Sequence, residues 1–286
     1  MGKVISVINM KGGVGKTTLS IGIADYLAEI GKPVLIIDAD PQFNATQAML
    51  DTYKIYTGND FDIDDNFYNM EVLPNDKTIF KLFKFQTDML ITHDTPLAKD
   101  LIINLKNGLD ILCGDLRLVL VNKISDYSYI KKIKNFIEDN DLRKQYEYII
   151  IDCPPTLTIY TQSALMASDY YLIPNRIDRY SIVGIESLQR AVGLLIKEER
   201  IDLKCIGLVY TMVSKNSAKQ ERIKLSFESK EAVSKINIFD AHTTQVNNIQ
   251  YGRSGTLPTQ YKKSKEDIEA ITLELLNKIE NEESKE

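Results

Sequence analysis

Eight consecutive residues, Lys11-Gly12-Gly13-Val14-Gly15-Lys16-Thr17-Thr18, bring together two ammonium groups, three glycines and two hydroxyls. That mixture suits a polyphosphate. Glycines let the backbone turn tightly and point N–H groups inward at an anion. Lys16 is placed to reach the outer phosphates, and the Thr17 hydroxyl is of the kind that ligates magnesium. Two further stretches, Asp38-Ala39-Asp40-Pro41-Gln42 and Asp152-Cys153-Pro154-Pro155, set carboxylates directly after apolar runs. A carboxylate on a metal and another on a water would supply the positioning and charge neutralisation that phosphoryl transfer needs.

These residues need elements to hold them. Val4-Ile5-Ser6-Val7-Ile8 precedes the glycines, and apolar residues at Leu19, Ile23, Ala24 and Leu27 follow at helical spacing. That order is strand, turn, helix, with the helix N-terminus adding positive potential at the anion. Gly31-Lys32-Pro33 stops the helix. Val34 to Ile37, Tyr148 to Ile151, Tyr170 to Ile173 and Cys205 to Tyr210 are continuous apolar runs separated by helical stretches. Such runs read as parallel strands covered on both faces. Ligands in an open sheet of this kind lie beyond the carboxyl ends of the strands. Asp38, Asp40, Asp152, Pro174 and Thr211 all fall there and should converge on the glycine loop.

The rest of the pattern predicts helices over Asn44 to Leu50, Ile79 to Leu90, Pro96 to Leu105, Tyr129 to Asn140, Ser181 to Ile196 and Ala218 to Val233. It predicts short strands over Leu109 to Leu112 and Ile236 to Phe239. Ile268, Ile271, Leu275, Leu276 and Ile279 form a closing amphipathic helix, with only the last few residues disordered. Residues 51–76 carry acids against a single base, Lys54, and read as an exposed excursion from one domain spanning 1–286. Asp60, Asp62, Asp64 and Glu71 have the acid spacing of a calcium loop, but Asp65 stands where that loop needs glycine, so a solvated acidic loop is the reading taken.

The formal net charge is -5, which excludes whole-surface nucleic-acid binding and leaves any DNA contact to a local basic patch. Cys113, Cys153 and Cys205 are far apart and odd in number, as expected in a reducing cytosol without a disulfide framework. The chain enters a strand at once, leaving no room for a signal peptide, and no apolar run approaches the ~20 residues of a membrane span.

Against the ordinary phosphate-loop pattern, the first glycine would fall at position 10, which is Met10, and a second lysine, Lys11, opens the loop instead. This is the deviant Walker A form, and the chain resembles ParA/Soj-type partition ATPases of the ParA/MinD superfamily. The resemblance runs on through Asp152-Cys153-Pro154-Pro155-Thr156-Leu157, Ala167-Ser168-Asp169, Leu172-Ile173-Pro174, Gly207 to Met212, and Gly255-Thr256-Leu257-Pro258-Thr259-Gln260-Tyr261. It implies an α/β P-loop NTPase, a mostly parallel twisted sheet flanked by helices, in the short form without an N-terminal DNA-binding domain. It implies ATP and Mg²⁺ as cofactors, with Gly12, Gly13, Val14, Gly15, Lys16, Thr17 and Thr18 on the nucleotide. By the same resemblance Lys11 crosses a homodimer interface, Asp40 orients the attacking water, Asp152 and Thr17 hold the metal with Asp38 close by, and Thr211 and Met212 touch adenine. A structural hydrogen-bond anchor is the other reading of Asp38.

The function so implied is plasmid or chromosome partition in the bacterial cytoplasm, on the nucleoid. An ATP-closed dimer binds DNA nonspecifically, and a centromere-binding ParB-like adaptor triggers hydrolysis. Relatives place arginines near the segment that here reads Thr243 to Asn248, which has none. Lys215, Lys219, Arg222 and Lys224, flanked by Arg253, offer a substitute patch, against the alternative of a solvated helix face. A MinD-like membrane regulator is the competing reading. The terminal run Ile279 to Glu286 is acidic, however, and an anionic bilayer would repel it. Cys113 and Cys153 do not sit where a cluster-bridging iron protein needs them.

Overall fold

In the computed structural model the described residues are 1–54, 66–84, 95–121, 127–178, 181–214, 218–246 and 255–285, with 218–220 described for backbone only. The chain runs β1 (Lys3–Val7), α1 (Lys16–Glu29), β2 (Val34–Asp38) and α2 (Asn44–Tyr53). A π-helical turn at Tyr68–Val72 and a 3-10 turn at Ile79–Phe83 follow, then α3 (Ala98–Leu101), β3 (Ile103–Lys106), β4 (Leu109–Leu112) and α4 (Leu118–Val121). Next come α5 (Lys132–Asp139), α6 (Leu142–Gln145), β5 (Tyr148–Asp152), α7 (Ile159–Ala167), β6 (Tyr170–Arg176) and α8 (Ser181–Glu199). The described chain closes with β7 (Lys204–Thr211), α9 (Ala218–Glu228), α10 (Glu231–Ser234) and a 22-residue helix, α11 (Lys262–Glu283).

The strands form one seven-stranded sheet in the order β3-β4-β2-β5-β1-β6-β7, parallel except for β3. Alternate residues feed opposite cores. Val4, Leu35, Ile149 and Ile173 face a cluster that holds Phe136, Leu165 and Leu188. Ile5, Ile36, Ile150 and Leu172 face another that holds Leu19, Leu27, Ile268 and Leu275. Both faces are therefore covered, which is why these strands tolerate no polar alternation. Helix α1 lies under the sheet centre against α11. At Gly22 a Cβ would stand 2.7 Å from Cδ1 of Ile268, so close approach requires the missing side chain.

Several expectations are corrected. Pro96 to Leu105 is not a helix: one turn, α3, gives way to β3, which pairs antiparallel with β4. The signal was local. Ile103 and Leu105 are buried while Asn104 is exposed, and Asn107-Gly108 is a hairpin dipeptide, with Gly108 at φ 76°. Ala218 to Val233 breaks at Ser229-Lys230 into α9 and α10. Ile236 to Phe239 makes one parallel bridge, Leu208 to Ile238, rather than a strand. The 3-10 turn covers only the first part of the helix expected over Ile79 to Leu90, and 85–90 lie outside the described residues.

The acidic excursion is also not exposed throughout. Tyr68 and Val72 are buried, and Asp76 pairs with Lys84 and Arg117. Asp60, Asp62, Asp64 and Asp65 lie outside the described residues. At the far end α11 continues to Glu283, where Lys3 of β1 pairs with it, so order extends beyond the apolar residues that predicted the helix.

Candidate nucleotide site

The glycine loop leaves β1 at the middle of the sheet and enters α1 at Lys16. Gly13 and Gly15 have φ of 68° and 82°, the left-handed region in which a Cβ is strained. Among the described residues, none other than its chain neighbours comes within 4 Å of a Cβ built at Gly13, so backbone conformation, not space, requires glycine there. Gly15 caps α1, and the amides that begin the helix have no intrahelical acceptor, which leaves them for an anion. Lys16 is 7% exposed, and its amine donates to the carbonyl of Lys11 across the loop at 3.0 Å. Burial lowers its pKa, against the pull of Asp152 and Asp40. Val14 is buried, and Thr18 follows in the first turn.

Asp38 and Asp152 are paired residues at the ends of β2 and β5. Both are fully buried, and burial pushes both carboxyls up, Asp38 further through its neighbour Asp152. Thr17 donates its hydroxyl to one oxygen of Asp152 at 2.7 Å, and Ser20 donates to the other at 2.9 Å. Ser20 was not anticipated from sequence. It lies one helical turn after Lys16, whose carbonyl it also reaches. Hydroxyl and carboxylate oxygens gathered at one buried point, with the Asp38 carboxylate paired beside them, are the oxygen set that magnesium takes, so Thr17 and Asp152 fit that ion. Asp38 instead receives the amide and hydroxyl of Thr46, both at 2.8 Å, and the amide of Asp40 at 3.2 Å. Its oxygens are thus committed to the chain.

Asp40 is 8% exposed, and one of its oxygens accepts from the amide of Gln42 at 2.9 Å. Lys11 lies at the mouth of the loop. Asn9 fixes its backbone, accepting from the Lys11 amide at 3.1 Å while donating to the carbonyl of Pro174. The Lys11 amine is paired with Asp178, just beyond β6. Neither Asn9 nor Asp178 carried a sequence signal, because Asn9 is anchored by Pro174 and Asp178 reaches Lys11, each across more than 160 positions. On the other side, Thr211 at the end of β7 donates to the carbonyl of Val14 at 2.8 Å. Met212, at φ 52°, donates its amide to Thr243. A Cβ built on Gly15 would stand 3.4 Å from the Met212 methyl. Thr211 and Met212 thus wall a cavity of about 620 Å³ that Arg176, Asp178, Tyr210 and His242 also line. Its size is that of a small-molecule pocket.

The proposed basic patch does not share one face. Arg222 is exposed on α9, whereas Lys224 turns to the cavity, over the ring of Tyr210 and 3.9 Å from Glu228. Two residues apart on a helix point in nearly opposite directions. Lys215 and Arg253 lie outside the described residues, as does the Lys219 side chain.

A glycine-lysine-threonine turn between a central parallel strand and its helix, with carboxylates at the neighbouring strand ends, defines a P-loop ATPase. A family model described as AAA domain matches residues 2–205, and the chain belongs to that family, among its Soj and ParA proteins. It is 34% identical over 218 residues to sporulation initiation inhibitor protein Soj of Bacillus subtilis, covering 74% of each chain. To chromosome partitioning protein ParA of Myxococcus xanthus it is 32% identical over 212 residues, covering 74% of this chain and 65% of the relative.

Among solved structures, a variant of McdA from Cyanothece in complex with ATP superposes with a TM-score of 0.73 at 19% identity, covering 96% of both chains. A plasmid partition protein from Borrelia burgdorferi superposes with a TM-score of 0.68 at 22% identity, covering 97% of this chain and 99% of that one. At those identities the likeness is one of fold. The chain is an ATPase of this family, and among the described residues no helix is long and apolar enough to cross a membrane.

Proposed function

We propose that this ATPase drives partition of plasmid or chromosomal DNA, with ATP closing a homodimer that binds DNA nonspecifically and a ParB-like adaptor setting hydrolysis. The observation that carries the reading is the placement of two lysines, Lys11 and Lys16, at the two ends of one glycine loop, with Asp40 and Asp152 at the adjacent strand ends. The partition relatives named above support the cellular role.

In this reading the loop amides and Lys16 hold the phosphates, and Thr17 and Asp152 hold magnesium. The ion, when bound, neutralises phosphate charge. Asp40, with one oxygen tied to Gln42, keeps the other for the attacking water. Asp38, committed to Thr46, braces the turn that carries Asp40. Lys16 gives up the Lys11 carbonyl for phosphate oxygens. Lys11 is paired with Asp178 in the single chain, and serves the partner's nucleotide once it exchanges that carboxylate for phosphate. Thr211 and Met212 border the base.

The test is Asp40→Ala. Losing a group that acts only on the water should leave ATP affinity and ATP-driven dimerisation intact while hydrolysis falls by roughly 100-fold or more, in the range of a catalytic base. Calorimetry, light scattering with ATP and phosphate release measure the three. An Asp40→Ala protein that loses ATP affinity but keeps its turnover per bound nucleotide would make Asp40 a binding residue and overturn the assignment.

A further inference from the structure

The turn that carries Asp40 is held by a contact outside the phosphate machinery. Phe43 ends that turn, donating its amide to the carbonyl of Asp40 at 2.9 Å. Its φ is 39° and ψ 37°, a left-handed conformation on a bulky residue that is not glycine. A bulky side chain persists there only when its surroundings hold it. The holding group is Tyr68, from the segment between α2 and β3. The two rings stack with centroids 4.9 Å apart and planes 14° apart.

Tyr68 is itself immobilised. It is buried, and its hydroxyl donates to the carbonyl of Gly114 at 2.9 Å. Gly114 closes the other side: a Cβ there would stand 2.7 Å from the Phe43 Cβ and 2.9 Å from the Asp38 carboxyl carbon. The Gly114 amide in turn donates to the hydroxyl of Thr46, which also binds Asp38. Phe43 is thus clamped between the Tyr68 ring and the Gly114 backbone, one residue beyond the Gln42 amide that orients Asp40.

We propose that Tyr68 is a positioning residue for ATP hydrolysis, keeping Phe43 left-handed and so aiming the Asp40 carboxylate. The proposal rests on the reading that Asp40 serves the attacking water. It makes Tyr68 part of the hydrolytic apparatus through its contact with Phe43. A catalytic carboxylate displaced by about 1 Å loses rate far more than it loses ligand affinity.

The experiment compares Tyr68→Ala, Tyr68→Phe, Phe43→Gly, the Tyr68→Ala/Phe43→Gly double variant and Asp40→Ala. Hydrolysis is followed at saturating ATP and ATP affinity by calorimetry. Tyr68→Ala should slow hydrolysis by about tenfold or more with ATP affinity unchanged. Phe43→Gly keeps the buried Tyr68 hydroxyl bond and tolerates positive φ, so it should fold, but glycine populates negative φ as readily and without the ring nothing fixes the turn, so it should show the same loss. Tyr68→Phe keeps the stack and should restore hydrolysis to within about threefold of the parent. Because both residues act through one contact, the double variant should fall no further than either single one.

Parent-like hydrolysis in Tyr68→Ala and Phe43→Gly, with Asp40→Ala inactive, overturns this inference and leaves the Asp40 assignment standing. Losses that add in the double variant, or that track a loss of ATP affinity, also overturn it, since they mark general structural damage. Parent-like turnover in Asp40→Ala removes the underlying reading and this inference with it.

Discussion

Among single residues, Lys16 has the sharpest consequence. Its amine is buried and donates to the Lys11 carbonyl, so it stands ready to exchange that neutral acceptor for a charged one. A hydrogen bond to a charged group is worth about 1.5–3 kcal/mol, and nothing else in the loop replaces it. Lys16→Ala should therefore weaken ATP binding by roughly 10- to 150-fold in calorimetry. Near-parental affinity would show that the loop amides alone hold the phosphates. Lys11 behaves differently because Asp178 already balances its charge. The two lysines share a loop, yet only Lys16 is tied into the loop itself.

Elements are joined at the corner between β4 and α4, where Asp115 gathers several donors. It accepts from the Thr78 hydroxyl at 2.6 Å and from Arg117 through Nε, Nη2 and the backbone amide. This ties the start of the 3-10 turn at Ile79–Phe83 to the strand that ends beside Tyr68 and Gly114. Burial would raise the Asp115 pKa, but Arg117 and Thr78 outweigh it and hold it below the usual carboxylate range.

The sign of the pH effect follows. With the folded pKa below the unfolded value of about 4, the stabilisation is fully present above pH ~4 and is lost as pH falls through the folded pKa. Asp115→Asn should lower thermal stability at pH 7 and flatten the acid limb of the stability profile. Thermal unfolding followed between pH 7 and pH 3 measures both. An acid limb as steep as the parent's would assign it to other carboxylates.

At the scale of the whole molecule the governing quantity is charge. With a formal net charge of -5, one subunit should bind DNA weakly at physiological salt. A closed dimer would join two local patches rigidly, and affinity would rise by effective concentration without new contacts. DNA binding should then require ATP and fall steeply with salt as counterions are released. Arg222 is exposed on α9, and Lys219 stands three positions before it in the sequence. Lys224 belongs to the cavity wall and is dropped from the patch. Reversing Lys219 and Arg222 to Glu should abolish ATP-dependent DNA binding in a salt titration while dimerisation survives. Unchanged affinity and salt slope would move the DNA surface off α9.

The phosphate loop, the carboxylates at the strand ends and the two-sided parallel sheet could be read from sequence because each is written in consecutive residues. Gly13 and Gly15 state a left-handed turn by themselves, and Val34 to Ile37 state a strand buried on both faces. The β3 hairpin was equally local in Ile103, Leu105 and Asn107-Gly108, but a four-residue strand after one helical turn is too short for helical and strand periods to separate. Other features depended on which distant groups come within reach, and that is settled only by packing. Asp178 meets Lys11 across 167 positions, Ser20 meets Asp152 across 132, and Lys224 lies over the ring of Tyr210, which β7 brings beside α9. The contact of Phe43 with Tyr68 is of this second kind. No spacing rule links them, and the aromatic pair exists only because β4 delivers Gly114 to the far side of the same turn.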